Sequence, residues 1–154
     1  MNLDVVAGVM AATALASSGA AQEAPPTTGP YLLVGQAPNH VMVVATGTRR
    51  QTDAGWSATT IVVFDMPGTG QVRVEGETEF DCDQQKRRTQ IVHVFPAPDA
   101  DNPEPRLTTA AAVPWGPLGA NEGPTMTFIC EGEIDPSLVR SRLSEHVSSW
   151  RATY

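Results

Sequence analysis

The sequence predicts an α+β fold: a single antiparallel sheet of about six strands, a C-terminal amphipathic helix packed on one face, and one disulfide. Three observations carry that prediction. Apolar residues recur every second position through several segments between residues 31 and 113, the spacing of one strand face. Near the end the period changes, with Val139, Leu143, Val147 and Trp150 at helical spacings of four, four and three. Cys82 and Cys130 are the only two cysteines, and Cys82 follows on the apolar side of an alternating run.

Residues 1–21 read as a signal peptide. Val5–Ala16 is uncharged and mostly apolar, and small residues follow it through Ala21. The run is too short to span a bilayer, which takes about 20 apolar residues. Asp4 stands where a positive charge is expected, so either the signal is weak or translation starts upstream. Residues 22–30 (QEAPPTTGP) read as a disordered Pro-rich linker, and 31–154 as one domain with its core over 31–130. Export implies an oxidising compartment, where two cysteines normally pair. A bridge closing a loop of about 48 residues stabilises by about 4 kcal/mol in the chain-entropy treatment. The alternative is two separately buried thiols.

Tyr31–Val34 and Val41–Ala45 form a hairpin across a turn carrying Pro38 and Asn39. Residues 47–55 are polar and read as a connection. Thr59–Phe64 is rich in β-branched residues and stops at Pro67-Gly68, a type II turn pair. From Gln71 the alternation sends Val72, Val74, Thr78, Phe80 and Cys82 to the core. It sends Arg73, Glu75, Glu77, Glu79, Asp81 and Asp83 to an expected solvated face. Gln84–Arg87 reverses the chain into Arg88–Phe95, where Ile91 and Phe95 can meet Phe80 and Val74. Lys86, Arg87 and Arg88 then face Asp81 and Asp83.

Pro96–Pro105 holds four prolines and is expected as an exposed loop. Arg106–Val113 reads as a sixth, edge strand, and Trp115 as an aromatic covering one end of the core. Thr125–Cys130 is left open between strand and helix, its composition favouring the first and its flanking Pro124 and Gly132 the second. Asp135 as N-cap and Pro136 at the first helical position start a helix over about 136–150, docked on the sheet.

A formal charge of −7, or −6 without Asp4, and few clustered cations argue against nucleic acid or anionic lipid as partners. His40, His93 and His146 lack metal-ligand spacing with one another or with the cysteines. Carboxylates at strand spacing do not wrap Ca²⁺ as a loop does. The GxSxG, HExxH and Walker A patterns are absent, so neither enzyme nor cofactor is expected.

The order of apolar hairpin, polar stretch with Gly55, Glu79-Phe80-Asp81-Cys82 strand, Lys86-Arg87-Arg88 turn, strand ending in an aromatic, Pro/Trp segment and Cys130 resembles the bacterial surface-adhesin protein E family. The resemblance covers about residues 31–130. It implies an antiparallel sheet of about six strands with a helix held on one face by the Cys82–Cys130 bridge. It also implies adhesion by binding host extracellular-matrix proteins. The chain departs from the family's lipid-anchored type, having no cysteine near the expected cleavage site, so it is not expected to be lipid-anchored. It also continues 24 residues past Cys130, so the bridged helix and the C-terminal helix can be different elements.

These readings give an exported, periplasmic or extracellular, non-enzymatic binding protein. Its expected contact surfaces are the face carrying Glu75, Glu77, Glu79, Asp81 and Arg88, or the 96–105 loop, and its expected partner is a protein or glycan. One alternative is a periplasmic inhibitor of a wall-degrading enzyme, inserting an acid from Asp99–Glu104. Another is a hydrolase, which would place Asp81 or Glu79 beside His93 with a strongly shifted pKa.

Overall fold

The computed structural model describes residues 26–68, 70–104, 108–119 and 122–154. The expected signal peptide lies outside them, as does the linker before Pro26. Among the described residues nine strands form one sheet: β1 (Tyr31–Ala37), β2 (His40–Ala45), β3 (Arg50–Thr52), β4 (Gly55–Met66), β5 (Gly70–Asp81), β6 (Lys86–Pro96), β7 (Thr108–Ala110), β8 (Val113–Pro117) and β9 (Val139–Arg140). The order is β7-β6-β5-β4-β2-β1-β9, with β3 also on β4 and β8 also on β6, every pair antiparallel.

The strands beyond the expected six are short additions along long neighbours. Residues 50–52 pair with the start of β4, which begins at Gly55 rather than Thr59. Gly55 is required there: its φ is +141°, and a Cβ would sit 2.2 Å from the Phe80 carbonyl oxygen. The single edge strand expected over 106–113 is replaced by β7 and β8, which occupy different stretches of β6.

Both faces of the sheet are covered. On one, Tyr31, Val41, Val43, Ala45, Ile61 and Val63 pack against Leu143, Val147 and Trp150 of α2 (Leu143–Thr153). On the other, Leu32, Val34, Val44, Ala58 and Phe80 pack against Phe128 and Ile129. These two come from a helical segment made of α1 (Gly123–Met126) and a π-turn (Thr127–Glu131). The open question over 125–130 thus resolves as helix, closed by left-handed Gly132 at φ +78°. Cys82 joins Cys130 on this face, with Cα atoms 5.8 Å apart. The bridged helical segment and the C-terminal helix are different elements on opposite faces.

The C-terminal helix begins later than its spacing predicts. Asp135 does cap a turn, accepting from the Ser137 N–H at 2.9 Å, but that turn is 3-10 and covers only Pro136–Leu138. Val139–Arg140 then pairs with Leu32–Tyr31 of β1. Val139 packs with the disulfide-side cluster, whereas Leu143 belongs to the opposite core. Between them the chain rounds the sheet edge, so the 139–143 spacing is not one helix stripe. Without a local side-chain cap, α2 is capped from afar: Asp101 accepts from the Ser144 N–H at 3.0 Å and from its hydroxyl.

Asp101 lies in the Pro-rich segment expected to be an exposed loop. Part of it is core instead, because Ala97 and Ala100 are buried and Ala100 joins the α2-side cluster. Gln71 holds it at both ends of an exchange, its carbonyl accepting from the Ala97 N–H and its amide donating to the Ala97 carbonyl at 2.7 Å. Across the β5–β6 hairpin Val74 opposes Val94, while Phe95 opposes Arg73 and Phe80 opposes Arg87. The Ile91 side chain falls outside the described ones. Trp115, expected to cover the core, is 37% exposed.

Candidate functional site

Strand alternation places Arg73, Glu75, Glu77 and Glu79 on the α2-side face, opposite Val63, Ile61, Thr59 and Ser57 of β4. The expected solvated stripe divides into environments set by what covers each stretch. Arg73 and Glu75 are 1% and 4% exposed, Arg73 held against Ala100 and Thr27 and Glu75 against Thr27. Arg73 Nη2 is 2.6 Å from Glu75 Oε1, and Arg73 Nη1 donates to the Ala100 carbonyl at 3.0 Å. Glu75 also accepts from the Thr27 N–H at 3.1 Å and its hydroxyl at 2.9 Å. This buried ion pair ties the N-terminal segment to the sheet, with Arg73 Nε the one guanidinium nitrogen left without a partner among the described residues. Glu75 is therefore removed from the binding face expected of it, and Thr27, read as linker, is hydrogen-bonded to the sheet.

Glu79 is also buried, at 3% exposure. It accepts from the Thr52 hydroxyl at 2.6 Å, Arg88 Nε at 2.7 Å and Gln90 Nε2 at 2.7 Å. Burial works against its charge, but hydrogen bonds from Thr52, Arg88 and Gln90 prevail and hold the carboxyl below its usual pKa. Arg88 also reaches over the Trp115 ring, 4.8 Å from its centroid. Glu77 is partly exposed and pairs with the exposed Arg50. Asp81 serves the turn, accepting from the Gln84 N–H at 2.9 Å. The expected acid–base pairing within the hairpin shifts accordingly: Arg88 goes to Glu79, Arg87 to Glu122, and Lys86 to Gln84.

This end of the face lies beyond α2, which packs on β1, β2, β9 and the 61–63 stretch of β4. A hollow of about 350 Å³ opens there, lined by Thr48, Arg50, Ser57, Thr59 and Glu77 among others. Ser57 is buried and its hydroxyl has no hydrogen-bond partner. Thr48 is committed, donating to the Ala45 carbonyl and accepting from the Thr59 N–H. Sequence reasoning singled out Glu77, Glu79 and Arg88 here but missed Arg50, Thr52, Ser57 and Gln90. The signal for the first pair was their alternation within residues 47–55, obscured because the segment is short and wholly polar.

The histidines occupy three unrelated places. His40 Nδ1 lies 2.9 Å from Asn39 Oδ1. His93 opposes Glu75 and Thr109 in the ladder, while the cross-strand partner of Glu79 is Arg88. His146 is buried, its Nε2 lies 3.0 Å from the Tyr31 carbonyl oxygen, and burial lowers its pKa against that hydrogen bond. Neither Glu79 nor Asp81 stands opposite His93, their cross-strand partners being Arg88 and Lys86, and the Glu79 shift runs opposite to that of a proton donor. Asp99 and Glu104 are both exposed; Asp99 accepts from the Asp101 N–H and from Asn102, while Asp101 accepts from Ser144.

Among the described residues, no group of three or more His, Cys, Asp or Glu side chains is placed to hold a metal ion. No described helix is long and apolar enough to cross a membrane. Compared with family models, curated proteins and solved structures, the chain matches none.

Proposed function

We propose that the protein is an exported, non-enzymatic binding protein of the surface-adhesin E type, and that it contacts an extracytoplasmic protein or glycan. The disulfide supports export, since such bridges persist in oxidising compartments. One observation carries the binding surface: the α2-side face is open at one end, where exposed Trp115 lies against Arg88 and the Glu79 network. The Arg50–Glu77 hollow completes it. Hydrogen bonds already hold these groups in place, so little side-chain freedom is lost on binding. Hydroxyl, guanidinium and carboxylate groups beside a flat aromatic suit the hydroxyls and ring faces of sugars, or the polar rim of a protein.

Affinity capture from envelope extract and from matrix proteins tests this, using the oxidised chain and a Trp115→Ala/Arg50→Ala variant. The expected result is a captured partner whose retention falls at least about tenfold in the variant, the loss typical of one interface hot spot or more. Recovery of a lysozyme-like enzyme that the chain inhibits, retained equally by the variant, would instead establish the inhibitor reading.

A further inference from the structure

On the opposite face, beside the disulfide-side core, a cavity of about 230 Å³ lies over β4, β5 and β6. Its walls are mainly apolar: Met42, Val62, Val74, Phe80, Val92 and Val113. The inward series of β5 explains the space, because Gly76 stands between Val74 and Thr78 on that face and has no side chain to fill it. An apolar cavity of about 150 Å³ accommodates benzene, so this one has room for a six-membered ring and a small substituent.

The polar groups in the wall define that substituent. Thr60, Thr78 and Thr89 form a hydroxyl row across three strands, Oγ1 to Oγ1 at 2.8 and 3.2 Å. Thr60 Oγ1 also lies 3.3 Å from the Gly76 carbonyl, which can only accept. Each hydroxyl has one proton, so Thr60 donates to Gly76, Thr78 to Thr60 and Thr89 to Thr78. Among the described residues, Thr89 ends the row with its proton committed and its lone pairs open. Thr125 lines the cavity too, 2% exposed, and its hydroxyl has no partner. Arg87 and Glu122, the charged lining residues, neutralise each other as an ion pair, so nothing there calls for a net charge on the occupant.

We propose that this cavity binds a small neutral ring compound carrying one hydroxyl, which donates its proton to Thr89. Phenol is the probe, with anisole as the analogue lacking the donor and toluene lacking the oxygen. Each is titrated into the oxidised full chain and followed by NMR of amides and threonine methyls. Phenol is expected to shift Thr78, Thr89, Val92 and Thr125 saturably and to bind about 3–10-fold tighter than anisole, as one added hydrogen bond dictates. Thr89→Val should abolish that preference. Val62→Phe, which fills the cavity, should remove saturable binding of all three. If Val62→Phe does not fold, Thr89→Val decides alone. Equal phenol and anisole affinities in the native chain overturn the donor assignment. No saturable shift, or shifts confined to other surfaces, overturns the site.

Discussion

At the scale of single residues, burial and partners matter more than residue type. Arg73 and Glu75 differ little in sequence context from Glu77 and Arg50, yet the first pair is buried against Ala100 and Thr27 and the second lies open. Breaking the buried pair leaves an uncompensated charge. Arg73→Met should therefore destabilise by about 3–5 kcal/mol, and adding Glu75→Leu should restore much of the loss. Urea midpoints of both single variants and the double variant would check this, and strict additivity would contradict it. His146 provides a pH test. Its folded pKa is depressed by burial, so below about 6.5, its unfolded value, the denatured chain takes up a proton that the folded site resists. The stability it contributes is present above that pH and declines as pH falls toward the folded pKa. His146→Gln should show a flatter fall in urea midpoint between pH 7 and pH 5 than the native chain.

At the scale of elements, the strands from period-two runs were legible because each alternation is local and half-buried. The 3-10 turn, β9 and the late start of α2 were not, since Val139 and Leu143 satisfy a helix spacing while serving two different cores. No local rule states that a free edge of β1 waits for residues 139–140. The α2 cap was hidden for the same reason, as it comes from Asp101, 43 positions before Ser144. Asp101→Ala should destabilise by about 1 kcal/mol, within the usual range for a lost cap. Amide exchange should accelerate first in the opening turn of α2, and unchanged protection there would contradict the remote cap.

At the scale of the whole molecule, one sheet serves two cores, and β1, β2 and β4 contribute to both. The disulfide binds only the second layer to the sheet. Replacing both cysteines by alanine should lower stability by about 2–5 kcal/mol. In that variant the amides of 127–131 should exchange faster than those of β2, read by hydrogen exchange, because their layer alone loses its tether. The sequence alone determined the antiparallel character of the sheet, the inward direction of Cys82 and the apolar stripe Leu143, Val147 and Trp150, since side-chain period is a property of neighbouring residues. Tertiary structure decided which acids are buried, which face each helix covers, and where a polar surface and a cavity remain. Those outcomes depend on segments far apart in the chain arriving over the same strand, and no local pattern encodes that arrival.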